Sequence, residues 1–237
     1  MKVELRGQHQ LGGIVGYAYR IYARNFAVFF GIALLTVPLQ MLGTVVQDRA
    51  SDAETGQLLS LPFQILGALV TLLVTGAIIH AVDEIASGTT PEFARSLDAA
   101  IARFGTLLTS NLLGGLLALA SLIFLPYFAV RWTFSPQAVI IDGKRNWAAL
   151  DASSSIVKGQ WWRTAGILGV IILIAIGPLL LASGASLLPV LPATIIISAV
   201  VAFVLPFVIT AQTLLYYDLR ARKQVAADVS PDRIAAP

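Results

Sequence analysis

The chain has 237 residues, of which 57% are hydrophobic and only 12% charged, with a formal charge of +3 and a mean hydropathy of +0.81. A water-soluble domain carries about 25% charged residues, and half that density cannot cover a solvated surface, so an integral membrane protein is implied. The absence of cysteine excludes disulfides, thiol nucleophiles and Cys-based metal sites, and two histidines, His9 and His80, cannot build a His-rich metal centre.

Mixed residues fill the chain up to Asn25, a pattern unlike the short basic and apolar stretches of a secretory leader, and no acylation motif is present. Apolar runs follow at residues 26–46, 58–82, 105–141, 166–182 and 187–216. As a helix the first run is about 32 Å long, enough for a hydrocarbon layer of about 30 Å. The third would reach about 55 Å unbroken, nearly twice that layer. Pro126, in Phe124-Leu125-Pro126-Tyr127, disfavours a continuing helix and restricts the residue before it. The run is therefore divided into 105–123 and 125–141, which makes six spans.

Lys and Arg collect in cytoplasmic loops near the spans, and this tests the count independently. With six spans and the N-terminus inside, 14 of the 16 basic residues fall on the cytoplasmic side. Of the others, Arg49 lies in an outer loop beside Asp48, Asp52 and Glu54, and Arg131 lies within a span. Five spans would place the last two basic clusters outside.

Short stretches with helical apolar spacing precede the odd-numbered spans. Leu11, Ile14, Val15, Ala18, Ile21 and Tyr22 share one face, away from Arg20 and Arg24. Phe93, Leu97, Ala100, Ile101 and Phe104 share another, opposite Glu92, Arg95, Asp98 and Arg103, with Thr89-Thr90-Pro91-Glu92 as the opening signal. In the third, Asn146 is placed to cap a helix carrying Trp147, Leu150 and Val157, and Ser153-Ser154-Ser155 weakens its apolar face. An aromatic then stands just before each of these spans: Phe26, Phe104 and Trp161-Trp162. The expected fold is all-α and membrane-integral, with six transmembrane helices as three hairpins, each preceded by an amphipathic cytoplasmic helix at the interface. It forms one domain over 1–223, in units of about 12–87, 90–141 and 146–223, with a mobile tail at 224–237.

Candidate functional groups are few. Arg131, Gln40, Gln64, His80, Asn111 and Gln212 are polar groups inside spans, where such side chains face a bundle interior. By depth Arg131, Gln40 and Gln64 fall in the outer half, so the two amides could hold the guanidinium, or Arg131 could bind an anion or snorkel outward. His80, Asp83 and Glu84 share a helical face at i, i+3, i+4. Arg20, Arg24, Arg103, Lys158, Trp161, Trp162 and Arg163 are placed at the interface, where basic groups attract anionic lipid. Gly12-Gly13 and Gly114-Gly115 lack the pattern of a phosphate loop, and the second pair fits a close helix contact. Pro38, Pro62, Pro126, Pro136, Pro178 and Pro206 introduce kinks or pack between helices.

The run Arg131-Trp132-Thr133-Phe134-Ser135-Pro136-Gln137-Ala138-Val139-Ile140-Ile141-Asp142-Gly143 continues into Trp147-Ala148-Ala149-Leu150, Ser155, Val157-Lys158-Gly159 and Trp161-Trp162-Arg163. Together with Leu11-Gly12-Gly13-Ile14, Tyr22-Ala23-Arg24-Asn25-Phe26 and Tyr216-Tyr217-Asp218-Leu219-Arg220-Ala221-Arg222 it resembles a bacterial six-span family. That family is known as the glycerophosphoryl diester phosphodiesterase membrane domain, and the likeness covers almost the whole chain. In the namesake enzymes catalysis lies in a separate soluble barrel, which has no counterpart here, so the resemblance implies topology and not the enzymatic activity.

The residues favour a non-catalytic multi-pass protein of the bacterial inner membrane, both termini cytoplasmic, acting in lipid association or scaffolding. Its expected partners are membrane lipids, anionic ones included, with no nucleic acid and no cofactor or metal. The alternative is a transporter or channel for a small anionic or amphiphilic solute, with Arg131 as counter-charge. An intramembrane enzyme using His80, Asp83 and Glu84 is a third reading.

Overall fold

The computed structural model describes residues 11–120 and 125–228. The expected turn at 121–124, and with it Phe124, lies outside the described residues, as do Lys2, Arg6, His9 and Arg233. The described chain is helical, with no strand. Its helices are α1 (Leu11–Arg24), α2 (Phe26–Leu34), α3 (Val37–Asp48), α4 (Ala53–Ser87), α5 (Phe93–Ala102) and α6 (Phe104–Ala120). There follow α7 (Leu125–Trp132), α8 (Ser135–Ile140), α9 (Trp147–Val157), α10 (Trp161–Ser183) and, after a 3-10 turn at Gly184–Leu187, α11 (Val190–Asp228).

Four helical stretches are long and apolar enough to cross a membrane: Phe26–Asp48, Ala53–Ser87, Trp161–Leu187 and Val190–Val225. A fifth is the pair α5–α6, bent by 62° at Arg103. The protein is therefore a helical membrane protein with four or five such spans. Residues 125–141, expected as one span, instead form the short helices α7 and α8 with a break at Thr133 and Phe134. The break is held from α9. The Phe134 N–H donates to Ser153 Oγ at 3.1 Å, and that hydroxyl donates to the Arg131 carbonyl at 2.8 Å. A helix interrupted in an apolar setting persists only where its freed backbone groups find partners, and Ser153, fully buried, supplies both.

The central pair is α4 and α11, which between them touch most of the other helices. Both ends of α4 are well specified. Asp52 caps its start, accepting from the Thr55 backbone N–H at 2.8 Å and the Thr55 hydroxyl at 2.9 Å. These bonds hold the Asp52 carboxyl below its ordinary range. At the other end Gly88 takes φ 84°, Gly88 N–H reaches the Ile85 carbonyl and Thr89 N–H the Glu84 carbonyl, a Schellman closure that needs the left-handed residue.

Burial divides the molecule along these helices. The second half of α4, from Val74 to Ala86, is sealed among α2, α5, α6, α8 and the Ile209 to Leu219 part of α11. The other half carries its large apolar side chains outward: Ile65 is 62% exposed, Leu173 68%, Leu181 84% and Leu187 92%. A continuous apolar exterior of this extent is stable against lipid and not against water. At 35 residues α4 is about 52 Å long, so roughly two-fifths of its length exceeds a hydrocarbon layer of about 30 Å.

The short helices differ in detail from their expected faces. Helix α1 buries Ile14, Ala18, Ile21 and Tyr22, packing against α11, where Tyr22 Oη donates to the Phe203 carbonyl at 2.9 Å. Helix α5 turns a different side inward. Ser96 and Ala100 are buried, whereas Phe93 is 38% and Ile101 55% exposed. The reason is Gly76 on α4, where an added Cβ would stand 2.8 Å from Leu107 and 3.2 Å from Ala100, so the approach admits only small side chains. Pro91 lies before the first turn of α5 and Glu92 occupies its N-cap position without a side-chain capping bond. Asn146 likewise does not cap α9. It sits at φ 49° and its Oδ1 accepts instead from Thr109 Oγ1 at 2.6 Å. In α9, Trp147 is 60% exposed while Leu150 and Val157 are buried along with Ser153 and Ser154, so the serines belong to the packed face. Gly114 is met by Leu150 of α9, and Gly115 faces open space. Residues 224–228, assigned above to a mobile tail, continue α11.

Candidate functional site

Two polar constellations stand out, one at each end of the α4–α11 pair. The first occupies the sealed end. Asp83 accepts from Tyr217 Oη at 2.5 Å, and Asp142 accepts from Tyr216 Oη at 2.6 Å and from the Arg220 guanidinium. Asp218, fully buried, pairs with Arg163 of α10 at 2.7 Å and with Arg222 at 3.0 Å. Glu84 pairs with Arg95 at 2.8 Å and accepts from Ser96 Oγ at 3.4 Å, and Arg95 also reaches Glu92 at 2.6 Å. A polar pocket of about 330 Å³ opens beside Asp83, Asp142, Tyr217, Arg220 and Gln224.

The chemistry of this end is that of a clamp. The consecutive Tyr216, Tyr217 and Asp218 each bind a different element: the loop after α8, helix α4 and the start of α10. With Asp142 and Arg163 as their partners, these residues fasten helices together. His80, Asp83 and Glu84 do not converge. His80 Nδ1 lies 3.8 Å from Glu84, while Asp83 turns to Tyr217 and Glu84 to Arg95. No group of three or more potential metal ligands occurs among the described residues.

The second constellation is a cleft of about 640 Å³ between α3, α4 and α11. Helix α3 contributes Gln40, Thr44 and Gln47, and helix α4 contributes Ser60, Gln64 and Thr71. Helix α11 adds Thr194 and Ser198. Gln40 and Gln64 thus line one cleft, but without Arg131. The Arg131 guanidinium lies on α7, 3.4 Å from Tyr127 Oη and 5.9 Å from the centre of that ring. Helix α7 packs on α6, α9 and α10, not on α3, because the broken α7–α8 segment is drawn toward Ser153.

The other singled-out residues are dispersed. Asn111 Nδ2 donates to the Leu107 carbonyl at 3.0 Å beside two shallower cavities, and Gln212 is half-buried on α11. Arg103, at the α5–α6 bend, donates to the Val139 and Ile140 carbonyls and so closes the end of α8. Arg20 stands 4.5 Å over the Tyr17 ring, and Arg24 and Lys158 are exposed. Trp161 stacks on Tyr127 with ring centres 5.8 Å apart, whereas Trp162 is 83% exposed. Arg163 is taken by Asp218 and faces inward.

Several residues of both constellations are not among the functional candidates named from the sequence: Asp142, Tyr216, Tyr217 and Asp218 at one end, and Thr44, Gln47, Ser60, Thr71, Thr194 and Ser198 at the other. For the cleft a signal existed. Polar residues at i, i+4, i+7 in α3, at i, i+4, i+11 in α4 and at i, i+4 in α11, within otherwise apolar runs, mark one face of each helix. For the clamp none did, since ion pairs between distant segments have no local signature.

Comparison with protein-family models, with curated proteins and with solved structures finds no match to this chain.

Proposed function

We propose that the chain is a non-catalytic protein of the bacterial cytoplasmic membrane, crossing it six times with both ends inside, that associates with anionic lipid along its inner edge. The observation that carries this reading is the composition of the two segments bounding α9. Lys144 and Arg145 precede the exposed Trp147, and Lys158 precedes the exposed Trp162. These three cations are exposed and make no ion pair among the described residues, whereas Arg163, Arg220 and Arg222 are spent on buried or half-buried carboxylates. Unpaired cations beside exposed tryptophan suit a headgroup layer, where the indole sits at the boundary and the charges meet phosphate. The bend of α5 supports the same placement, with Ile101 turned out of the bundle. The six-span resemblance and the strong bias of basic residues to one side support the count, with α7–α8 as a broken fourth crossing. A non-catalytic role is supported by the clamp, whose carboxylates each hold a helix in place.

Each Lys or Arg near an anionic surface contributes about 1 kcal/mol, so removing three weakens the preference by about a hundredfold. In mixed bilayers, phosphatidylglycerol is expected to be enriched over phosphatidylcholine in the lipid that co-purifies, as counted by native mass spectrometry. The combined variant Lys144→Gln, Lys158→Gln and Arg145→Gln is expected to lose that enrichment while keeping its thermal midpoint. Equal retention of both lipids by the unmodified protein would overturn the reading.

A further inference from the structure

The cleft between α3, α4 and α11 is polar, uncharged and set in the lipid-facing half of the molecule. Helical spacing brings Gln40, Thr44 and Gln47 of one helix to face Ser60, Gln64 and Thr71 of the next. In α11, Thr194 and Ser198 are the only side chains between residues 190 and 208 that carry a hydroxyl or amide, and both line the cleft. Around it the surface is apolar, with Leu42 50% exposed and Ile65 62%. Polar groups gathered on one shared face of three apolar helices serve something held between them.

The hydrogen-bonding state of these groups defines what that is. The hydroxyls of Thr44, Thr71 and Thr194 donate to carbonyls of their own helices at 3.0, 2.8 and 2.8 Å, which leaves their oxygens as acceptors toward the cleft. Gln64 Nε2 donates to Ser60 Oγ at 2.9 Å. The side-chain amides of Gln40 and Gln47 make no hydrogen bond among the described residues, so their donors and acceptors are unspent. No carboxylate or cation lines the space. An ion would be desolvated there without a counter-charge, at a cost of several kcal/mol, so the occupant is neutral and carries both donors and acceptors. The volume of about 640 Å³ lies in the range of small-molecule sites, about 300–1,000 Å³, and far exceeds the roughly 30 Å³ of a structural water. Leu39, Phe63 and Ile197 complete the lining, so one side of the occupant is apolar.

We propose that this cleft is an intramembrane binding site for a neutral, hydroxyl-bearing amphiphile, whose polyol group lies among the glutamines and hydroxyls and whose chain lies along the lipid-facing α4. Gly67 offers the test. It lines the cleft, and a Cβ there meets nothing within 4 Å. Leu at this position fills the space without touching a neighbour at its base and improves the helix.

A photoreactive alkyl glucoside, added to the full chain in nanodiscs, is expected to cross-link to α3, α4 and α11, and octyl glucoside to compete at least tenfold better than free glucose or octyl phosphate. In Gly67→Leu, and separately in Gln40→Leu with Gln64→Leu, cross-linking is expected to fall at least tenfold with the thermal midpoint kept or raised. If Gly67→Leu does not fold, Gly67→Ala with the glutamine pair replaced stands in for it. Undiminished labelling in the variants overturns the site, better competition by octyl phosphate overturns its neutral character, and equal competition by free glucose overturns the amphiphile. The test is independent of the headgroup contacts beside α9, which none of these variants alters.

Discussion

Asp218 is fully buried on α11, and its carboxylate is shared by Arg163 at 2.7 Å and Arg222 at 3.0 Å. Removing one member of such a group costs more than the group contributes, because the remaining charge is left buried without compensation. Both guanidiniums are partly hydrated, at 29% and 26% exposure, which places the cost at the lower end of the range. Asp218→Asn is expected to destabilise the protein by about 3 kcal/mol, measured by reversible unfolding in detergent micelles. Glu92→Gln is the control, since the Glu92–Arg95 pair is exposed and solvent-screened, and it is expected to leave stability unchanged. The same contrast explains why counting basic residues by side of the membrane said little about their work. Arg163 and Lys158 carry the same charge, yet one is bound to a buried carboxylate and the other is exposed.

Among the elements, the interrupted α7–α8 segment departs most from a simple span, and one side chain of a neighbouring helix maintains it. Ser153 Oγ both accepts from the Phe134 N–H and donates to the Arg131 carbonyl. Ser153→Ala leaves a buried donor and a buried acceptor unmet, and a loss of about 1–3 kcal/mol is expected by the same unfolding measurement. Ser155→Ala, whose hydroxyl only returns to the Ala152 carbonyl of its own turn, is expected to be near neutral. Equal effects of the two substitutions would show that the break is held by packing and not by these bonds. Helix α5 makes a related point about faces: the tight approach at Gly76 requires a small residue, Ala100, on the inner side and leaves Ile101 facing out.

For the whole molecule, sidedness follows from how many times the chain crosses, and α7–α8 decides it. The absence of cysteine makes single-cysteine labelling free of background. Ser51→Cys, in the turn between α3 and α4, is expected to react with an impermeant maleimide from the outer side alone. Lys223→Cys, near the end of α11, is expected to react from the inner side alone. Reaction of Lys223→Cys from outside would mean an odd number of crossings, with α7–α8 entering and leaving on one face. The clamp of Tyr216, Tyr217 and Asp218 ties the last turns of the long α11 to the loop after α8, to α4 and to α10.

The amino-acid order alone determined the class of the protein, the all-helical fold and the positions of the long apolar stretches, because the free energy of moving a helix into lipid sums over consecutive residues. It also placed Gln40 and Gln64 at one depth, since rise along a helix is a local quantity. The tertiary structure alone decided that these two glutamines face Thr194 and Ser198 and not Arg131, that Ser153 closes a helix break, and that Asp83, Asp142 and Asp218 fasten separate helices. Each of those outcomes depends on which faces meet across the bundle. That choice is made by close approach at glycines and by the demand that every buried polar group find a partner, and neither constraint is written in any single segment.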